Sequence, residues 1–250
     1  MESQAEDSVL EAGLYLVGTP IGNLGDITLR ALEVLKRVNL ILAEDTRQTR
    51  KLTSRFDMHV SLESCHRYQE ASRVRDIVSR LREGQAIALV SDSGMPCISD
   101  PGSRLVAACR EADVPVLVVP GPSAVTSAVA LCGFGGRGFV FDGFLPVKQG
   151  QRLRRLEELS DFEQPVVLFE GPHRILATLE ALDELLPERL IYIGRELTKK
   201  FEASHSGTAS QLLERFRKQA PRGEFVLVLE PAAKGQDTGA ARLRRPVATD

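Results

Sequence analysis

Leu14 to Leu32 reads LYLVGTPIGNLGDITLRAL. Its opening residues are apolar and β-favouring, and they run into Gly18, Pro20, Gly22 and Gly25. A helical spacing of Leu29, Leu32, Leu35 and Val38 follows, with Arg30, Glu33, Lys36 and Arg37 on other faces. A buried strand, a glycine-rich loop and an amphipathic helix form the repeating unit of an α/β protein. The loop matches neither G-x-G-x-x-G nor G-x-x-x-x-G-K-[ST], so the two commonest phosphate cradles do not explain its glycines. Read alone, they serve a tight strand-to-helix connection.

The unit recurs along the chain. Short β-rich apolar runs lie at 14–18, 40–43, 86–90, 114–119, 139–141, 166–169, 190–193 and 225–229, with helical patterns between most of them. Asp26 or Thr28 is placed to cap the first helix, Asp100-Pro101 puts a proline just inside a later one, and Pro122-Ser123 opens another. The expected fold class is α/β, in two α/β domains at 13–121 and 122–231. They divide at the proline- and glycine-rich VPGPSA, and flexible segments are expected at 1–12 and 232–250.

Composition narrows the function classes. With 250 residues, 43% of them hydrophobic, the chain can bury one large core or two modest ones. A formal net charge of −2 excludes a generally cationic nucleic-acid binder and leaves local basic faces. Three such groups stand out: Arg47, Arg50, Lys51 and Arg55; Lys148, Arg152, Arg154 and Arg155; and Arg195, Lys199 and Lys200. Tryptophan is absent and aromatics make up 5%, so extensive base stacking is not the expected mode. Cys65, Cys97, Cys109 and Cys132 form no Cys-x-x-Cys pair, and reduced thiols without a metal site are expected. No basic-then-apolar leader and no run of roughly 18 apolar residues is present. A cytoplasmic protein without membrane contact is the expectation.

In open α/β sheets ligands gather beyond the carboxyl ends of strands. There the densest loop is SDSGMPCISDPG, Ser91 to Gly102, with two glycines, two prolines, two aspartates and three serines. Glycine admits close approach, proline fixes shape, and the polar side chains suit a small polar ligand better than simple chain reversal. PGPSA, Pro120 to Ala124, offers helix-start amides to an anion, or serves as a linker and cap. AEDTRQTRK and GRELTKK also follow strands, and each reads equally as capping with a surface ion pair.

Taken together, GTPIGNLGDITLRAL, AEDTRQTRKL, ALVSDSGMPCISDPG, VPGPSA, GPHRI, GRELTK and RGEFVLVL occur in an order and spacing that resembles the ribosomal RNA small-subunit methyltransferase I family, from about Leu14 to Glu230. The resemblance implies the tetrapyrrole methylase fold class, two α/β domains with S-adenosyl-L-methionine in the cleft between them. It implies methyl transfer to the ribose 2′-oxygen of a cytidine in the decoding region of small-subunit (16S) rRNA, by a homodimer. It assigns cofactor contact to Asp92, Ser93, Gly94, Met95 and Pro96, to Ser123 and Ala124, and to Phe169 and Glu170. Thr19, Pro20, Gly22 and Asn23, with Asp45, Thr46 and Arg47, face the nucleotide. The chain departs from the family at Met95, where threonine is usual, at SCHRYQE (Ser64 to Glu70), and at Gly171, where serine is usual.

Methyl transfer from a sulfonium asks mainly for in-line placement of the nucleophile, and a base that takes the 2′-hydroxyl proton helps. Asp45, His66 and Glu70 are the candidate bases. The RNA-facing candidates are Thr19, Pro20, Asn23, Arg47, Arg152, Arg154, Arg155 and Lys199. Two other readings remain open: methylation of a tetrapyrrole, and a non-catalytic protein that binds the cofactor or RNA.

Overall fold

A computed structural model of the chain describes residues 10–65, 70–218 and 220–233. The expected flexible ends, 1–12 and 232–250, lie almost wholly outside the described residues, as does His66. Two compact units divide between Ser123 and Ala124, within the VPGPSA segment.

The first unit holds strands β1 (Gly13–Val17), β2 (Leu40–Ala43), β3 (Ser61–Ser64), β4 (Ala86–Val90) and β5 (Val116–Val119). They form one sheet in the order β3-β2-β4-β1-β5, and every pairing is parallel. Helices α1 (Leu29–Arg37), α2 (Thr46–Arg55), α3 (Glu70–Arg82) and α4 (Ser103–Glu111) make the crossovers. Alternation along the strands separates two cores. Tyr15, Val17, Ile41, Ala88 and Val90 pack with Ala31, Leu35 and Leu52 on one face. Leu14, Leu40, Leu42, Ile87 and Leu89 pack with Ile77, Leu81 and Leu105 on the other. Because all five strands point the same way, the loops after β1, β2, β4 and β5 emerge along one edge.

The second unit opens with α5 (Ala124–Cys132) and continues through β6 (Val140–Phe144), α6 (Gln149–Ser160), β7 (Val166–Glu170), α7 (Ile175–Leu185), β8 (Ile191–Arg195), β9 (Ala203–Gly207), α8 (Ala209–Lys218) and β10 (Phe225–Leu229). Its sheet runs β6-β7-β10-β8-β9. Only β6 and β7 pair in parallel; the other three pairings are antiparallel. Leu156 and Leu159 of α6, Leu179 and Leu182 of α7, and Leu212 and Phe216 of α8 bury against Val166, Leu168, Ile193 and Leu227.

Thr28 caps α1 by accepting from Ala31 N at 3.1 Å. The expected start of α4 is corrected: the helix begins at Ser103 with Gly102 as its N-cap, so Asp100 and Pro101 lie in the loop before it. Gly102 takes φ +134°, and a Cβ there would sit 2.6 Å from Leu89 Cδ2. A glycine at this turn is therefore required by space and by backbone. No helix among the described residues is long and apolar enough to cross a membrane, Cys65, Cys97, Cys109 and Cys132 form no disulfide, and no group of metal-ligating side chains occurs among the described residues.

Candidate active site

The loops after β1 and β4 are stitched together by backbone. Thr19 N donates to Gly94 O at 2.9 Å and Gly94 N to Thr19 O at 3.2 Å. The Thr19 hydroxyl, on a residue only 4% exposed, donates to Ser91 O at 3.0 Å. On the other side Gly18 N donates to Val119 O at 3.0 Å. A Cβ on Gly18 would lie 2.7 Å from Gly121 Cα and from Met95 Sδ, and one on Gly121 would meet Gly18 at 2.9 Å. Two backbones touch here, and the Met95 side chain closes the remaining space. The loop after β2 joins through Asp45 N, which donates to Asp92 Oδ1 at 3.0 Å.

The Ser91–Gly102 segment is wound tightly. Gly94, Cys97, Ser99 and Gly102 all have positive φ, at 86°, 69°, 64° and 134°, and the two non-glycine residues carry backbone strain of the kind concentrated at functional sites. Ser91 Oγ anchors the turn: it contacts Asp100 Oδ2 at 2.5 Å and accepts from Ser93 N at 3.1 Å. Burial pushes the Asp100 carboxyl above the usual range; the Ser91 hydrogen bond pulls it down, and Asp92 raises it further. Sequence reasoning took Asp100 for part of a helix start. The signal that could have found it is its place in a long polar loop nine residues after Ser91. With the turn fixed, Asp92 and Ser93 stand exposed at the rim, while Gly94 and Pro96 are buried and Met95 is half-buried.

The expected residues separate by what they already touch. Thr19 and Pro20 are buried, whereas Asn23 is exposed and accepts from Gly25 N at 3.0 Å. Asp45 caps α2, accepting from Arg47 N at 2.8 Å, and it also holds the Arg47 guanidinium, with Nη2 at 2.7 Å from Oδ2. The Arg47 side chain nevertheless remains 84% exposed, and in that setting such a pair contributes little to stability. Glu70 is the first residue of α3; its side chain lies outside the described residues.

Ser123, the last residue of the first unit, directly precedes Ala124, the first residue of α5. Phe169 stacks edge-on with Phe141, ring centres 5.0 Å apart, and lies 5.6 Å from Phe144. Glu170 is 2% exposed, and its carboxylate accepts from Thr178 Oγ1 at 2.6 Å and Gly171 N at 2.9 Å while meeting Arg174 Nε at 3.1 Å. Its oxygens thus serve the β7–α7 turn. Arg155 is bound by Asp142 and by Glu158, and these hydrogen bonds raise its pKa. Lys199 bridges Glu196 at 2.9 Å and Glu224 at 2.7 Å. Arg154 is exposed, and Arg152 is buried.

A strand-edge cluster of strained polar turns is the kind of place where a fold presents a small ligand, and comparison with known proteins gives it a family. The model of the Tetrapyrrole (Corrin/Porphyrin) Methylases matches residues 13–213. The ribosomal RNA small subunit methyltransferase I of Thermotoga maritima is 45% identical over 216 residues, 86% of this chain and 97% of that protein. The chain belongs to the ribosomal RNA small subunit methyltransferase I family. The Synechocystis relative with this name is 46% identical over 220 residues, 88% of this chain and 79% of its own length. Among solved structures, uroporphyrin-III C-methyltransferase from Thermus thermophilus, complexed with S-adenyl homocysteine, covers 92% of this chain and 99% of its own at a TM-score of 0.61 and 19% identity. This ribosomal RNA small subunit methyltransferase I family chain therefore has the tetrapyrrole methylase fold, with a parallel α/β sheet followed by a mixed one.

Proposed function

We propose that the protein uses S-adenosyl-L-methionine to methylate the ribose 2′-oxygen of a cytidine in the decoding region of small-subunit rRNA. The observation that carries this reading is the 45% identity to the Thermotoga maritima ribosomal RNA small subunit methyltransferase I across 97% of that protein. The solved neighbour bound to S-adenyl homocysteine supports the choice of cofactor.

The residues at the β4 loop fit such a donor. An exposed carboxylate at Asp92 and an exposed hydroxyl at Ser93 suit a ligand that carries an ammonium group and a ribose diol. In this proposal Asp92, Ser93, Gly94, Met95 and Pro96 hold the cofactor, with Ser123 and Ala124 lending the start of α5. Glu170 positions Phe169 through the turn it braces. When bound, S-adenosyl-L-methionine supplies an electrophilic methyl group on a sulfonium.

The protein's own residues then do two jobs. Thr19, Ser91 and Asp100 act as positioning residues, because their hydrogen bonds fix the rim that carries Asp92 and Ser93. Asp45 orients α2 and presents Arg47, whose exposed guanidinium can exchange its carboxylate partner for an RNA phosphate. The 2′-hydroxyl proton passes to a base from the set Asp45, His66 and Glu70.

Incubation of the purified chain with tritiated S-adenosyl-L-methionine and unmethylated small ribosomal subunits tests the reading. Label in rRNA is the expected result. Absence of label from rRNA, under conditions where calorimetry detects cofactor binding, would overturn it. In the same calorimetry Asp92→Ala and Gly94→Val should each weaken cofactor binding at least tenfold, because one removes a polar contact and the other forces a branched side chain onto φ +86°. Unchanged affinity in both would remove the cofactor from this loop.

A further inference from the structure

The helix α6 begins with open donors. Lys148 is its N-cap and makes no side-chain cap. The first amides bonded back to Lys148 O are those of Gln151, at 3.1 Å, and Arg152, at 2.9 Å. The amides of Gln149 and Gly150 therefore project from the helix start without an intrahelical acceptor. Residues 148–151 are all exposed, and a Cβ built on Gly150 would meet nothing within 4 Å.

Arg152 lies just inside this start. It is 7% exposed, and its Nε is buried with no hydrogen-bond partner. Its Nη1 reaches only Val147 O, at 3.5 Å, the outer limit of a hydrogen bond. No carboxylate among the described residues pairs with it, whereas Arg155, one turn away, has two. A buried guanidinium without a counter-charge destabilises the fold on its own, and an arriving anion would reverse that. The loop around it is already held, since Arg174 Nη2 donates to Leu145 O at 2.5 Å.

We propose that the start of α6 is a phosphate site for the RNA backbone, formed by the Gln149 and Gly150 amides, the Lys148 ammonium and the Arg152 guanidinium. Exposed Arg154 stands four residues beyond Gly150 on the same helix face and meets the next phosphate. The inference rests on the small-subunit RNA reading above and refines it, because the expected basic group contributes through Arg152 and Arg154 while Arg155 stays with its carboxylates. A polymer is favoured over a small anion by four consecutive exposed residues, the open space at Gly150, and a second cation one turn along.

The test measures affinity for purified unmethylated small ribosomal subunits across a salt series, using the full chain. Arg152→Met and Gly150→Glu should each weaken binding about tenfold and flatten the dependence of log Kd on log salt by about one unit. Arg152→Met should also raise the thermal midpoint, since it removes a buried unpartnered charge; a purely structural arginine would lower it. Lys36→Ala, which removes an exposed charge from α1, should leave RNA binding unchanged. If both α6 variants bind the subunit with the wild-type salt slope, or if they lose S-adenosyl-L-methionine affinity instead, this site is overturned while the methyl-transfer reading stands. If the wild-type chain fails to methylate the subunit, the underlying reading falls first.

Discussion

Gly18 is where one atom decides most. An added Cβ would lie 2.7 Å from both Gly121 Cα and Met95 Sδ, closer than carbon and its neighbours tolerate, and two of the three surroundings are backbone that cannot rotate away. Gly18→Ala should therefore lower stability by about 1–3 kcal/mol through overpacking, read as a drop in the thermal midpoint. An unchanged midpoint would mean that the β1 and β5 loops can separate freely. The glycines of LYLVGTPIGNLG were legible in sequence as a need for backbone freedom, but the partner across from Gly18 was not. Gly121 lies over a hundred residues on, and no local pattern shows that the two backbones touch. Asp100 was misread for the same reason. Its local neighbour, Pro101, suggested a helix start, whereas its actual partner is Ser91 on the far side of the loop.

Among the elements, the strands that escaped sequence reading are β3 and β9. SLES and ASHSG offer little apolar content, and each occupies a sheet edge, where a strand needs only one partner and can face water. The other eight were visible because each carries an apolar run, buried in six of them and only partly so in the edge strands β5 and β6. The ends of β8 and β10 make a separate prediction. Burial alone would raise the Glu196 carboxyl, but the Glu224 amide and the Lys199 ammonium outweigh it and hold it below the ordinary 4.5. A folded value below the unfolded one means that the ionised group stabilises the fold above pH 4.5, and that this contribution fades as pH falls through the folded value. Glu196→Gln should accordingly lower the thermal midpoint at pH 7, and its deficit should shrink as the pH falls below 4.5. A deficit that stays constant with pH would contradict the ion-pair account of this corner.

At the scale of the whole molecule, the α/β class was readable from alternating strands and helices. What remained hidden was the identity of the groups left available for chemistry. Sequence counts charges, and three of the expected cations, Arg47, Arg155 and Lys199, already have carboxylate partners. The chemistry proposed here is methyl transfer to a ribose hydroxyl, and that hydroxyl itself supplies the most direct measurement. Alkali cleaves RNA through the 2′-oxygen, so a methylated ribose leaves an uncleaved dinucleotide. After incubation of wild-type chain, S-adenosyl-L-methionine and unmethylated small subunits, alkaline digestion and mass spectrometry should yield one new resistant dinucleotide beginning with cytidine and carrying the transferred methyl. Methyl label that is lost from every such dinucleotide, or found on a base, would contradict the account.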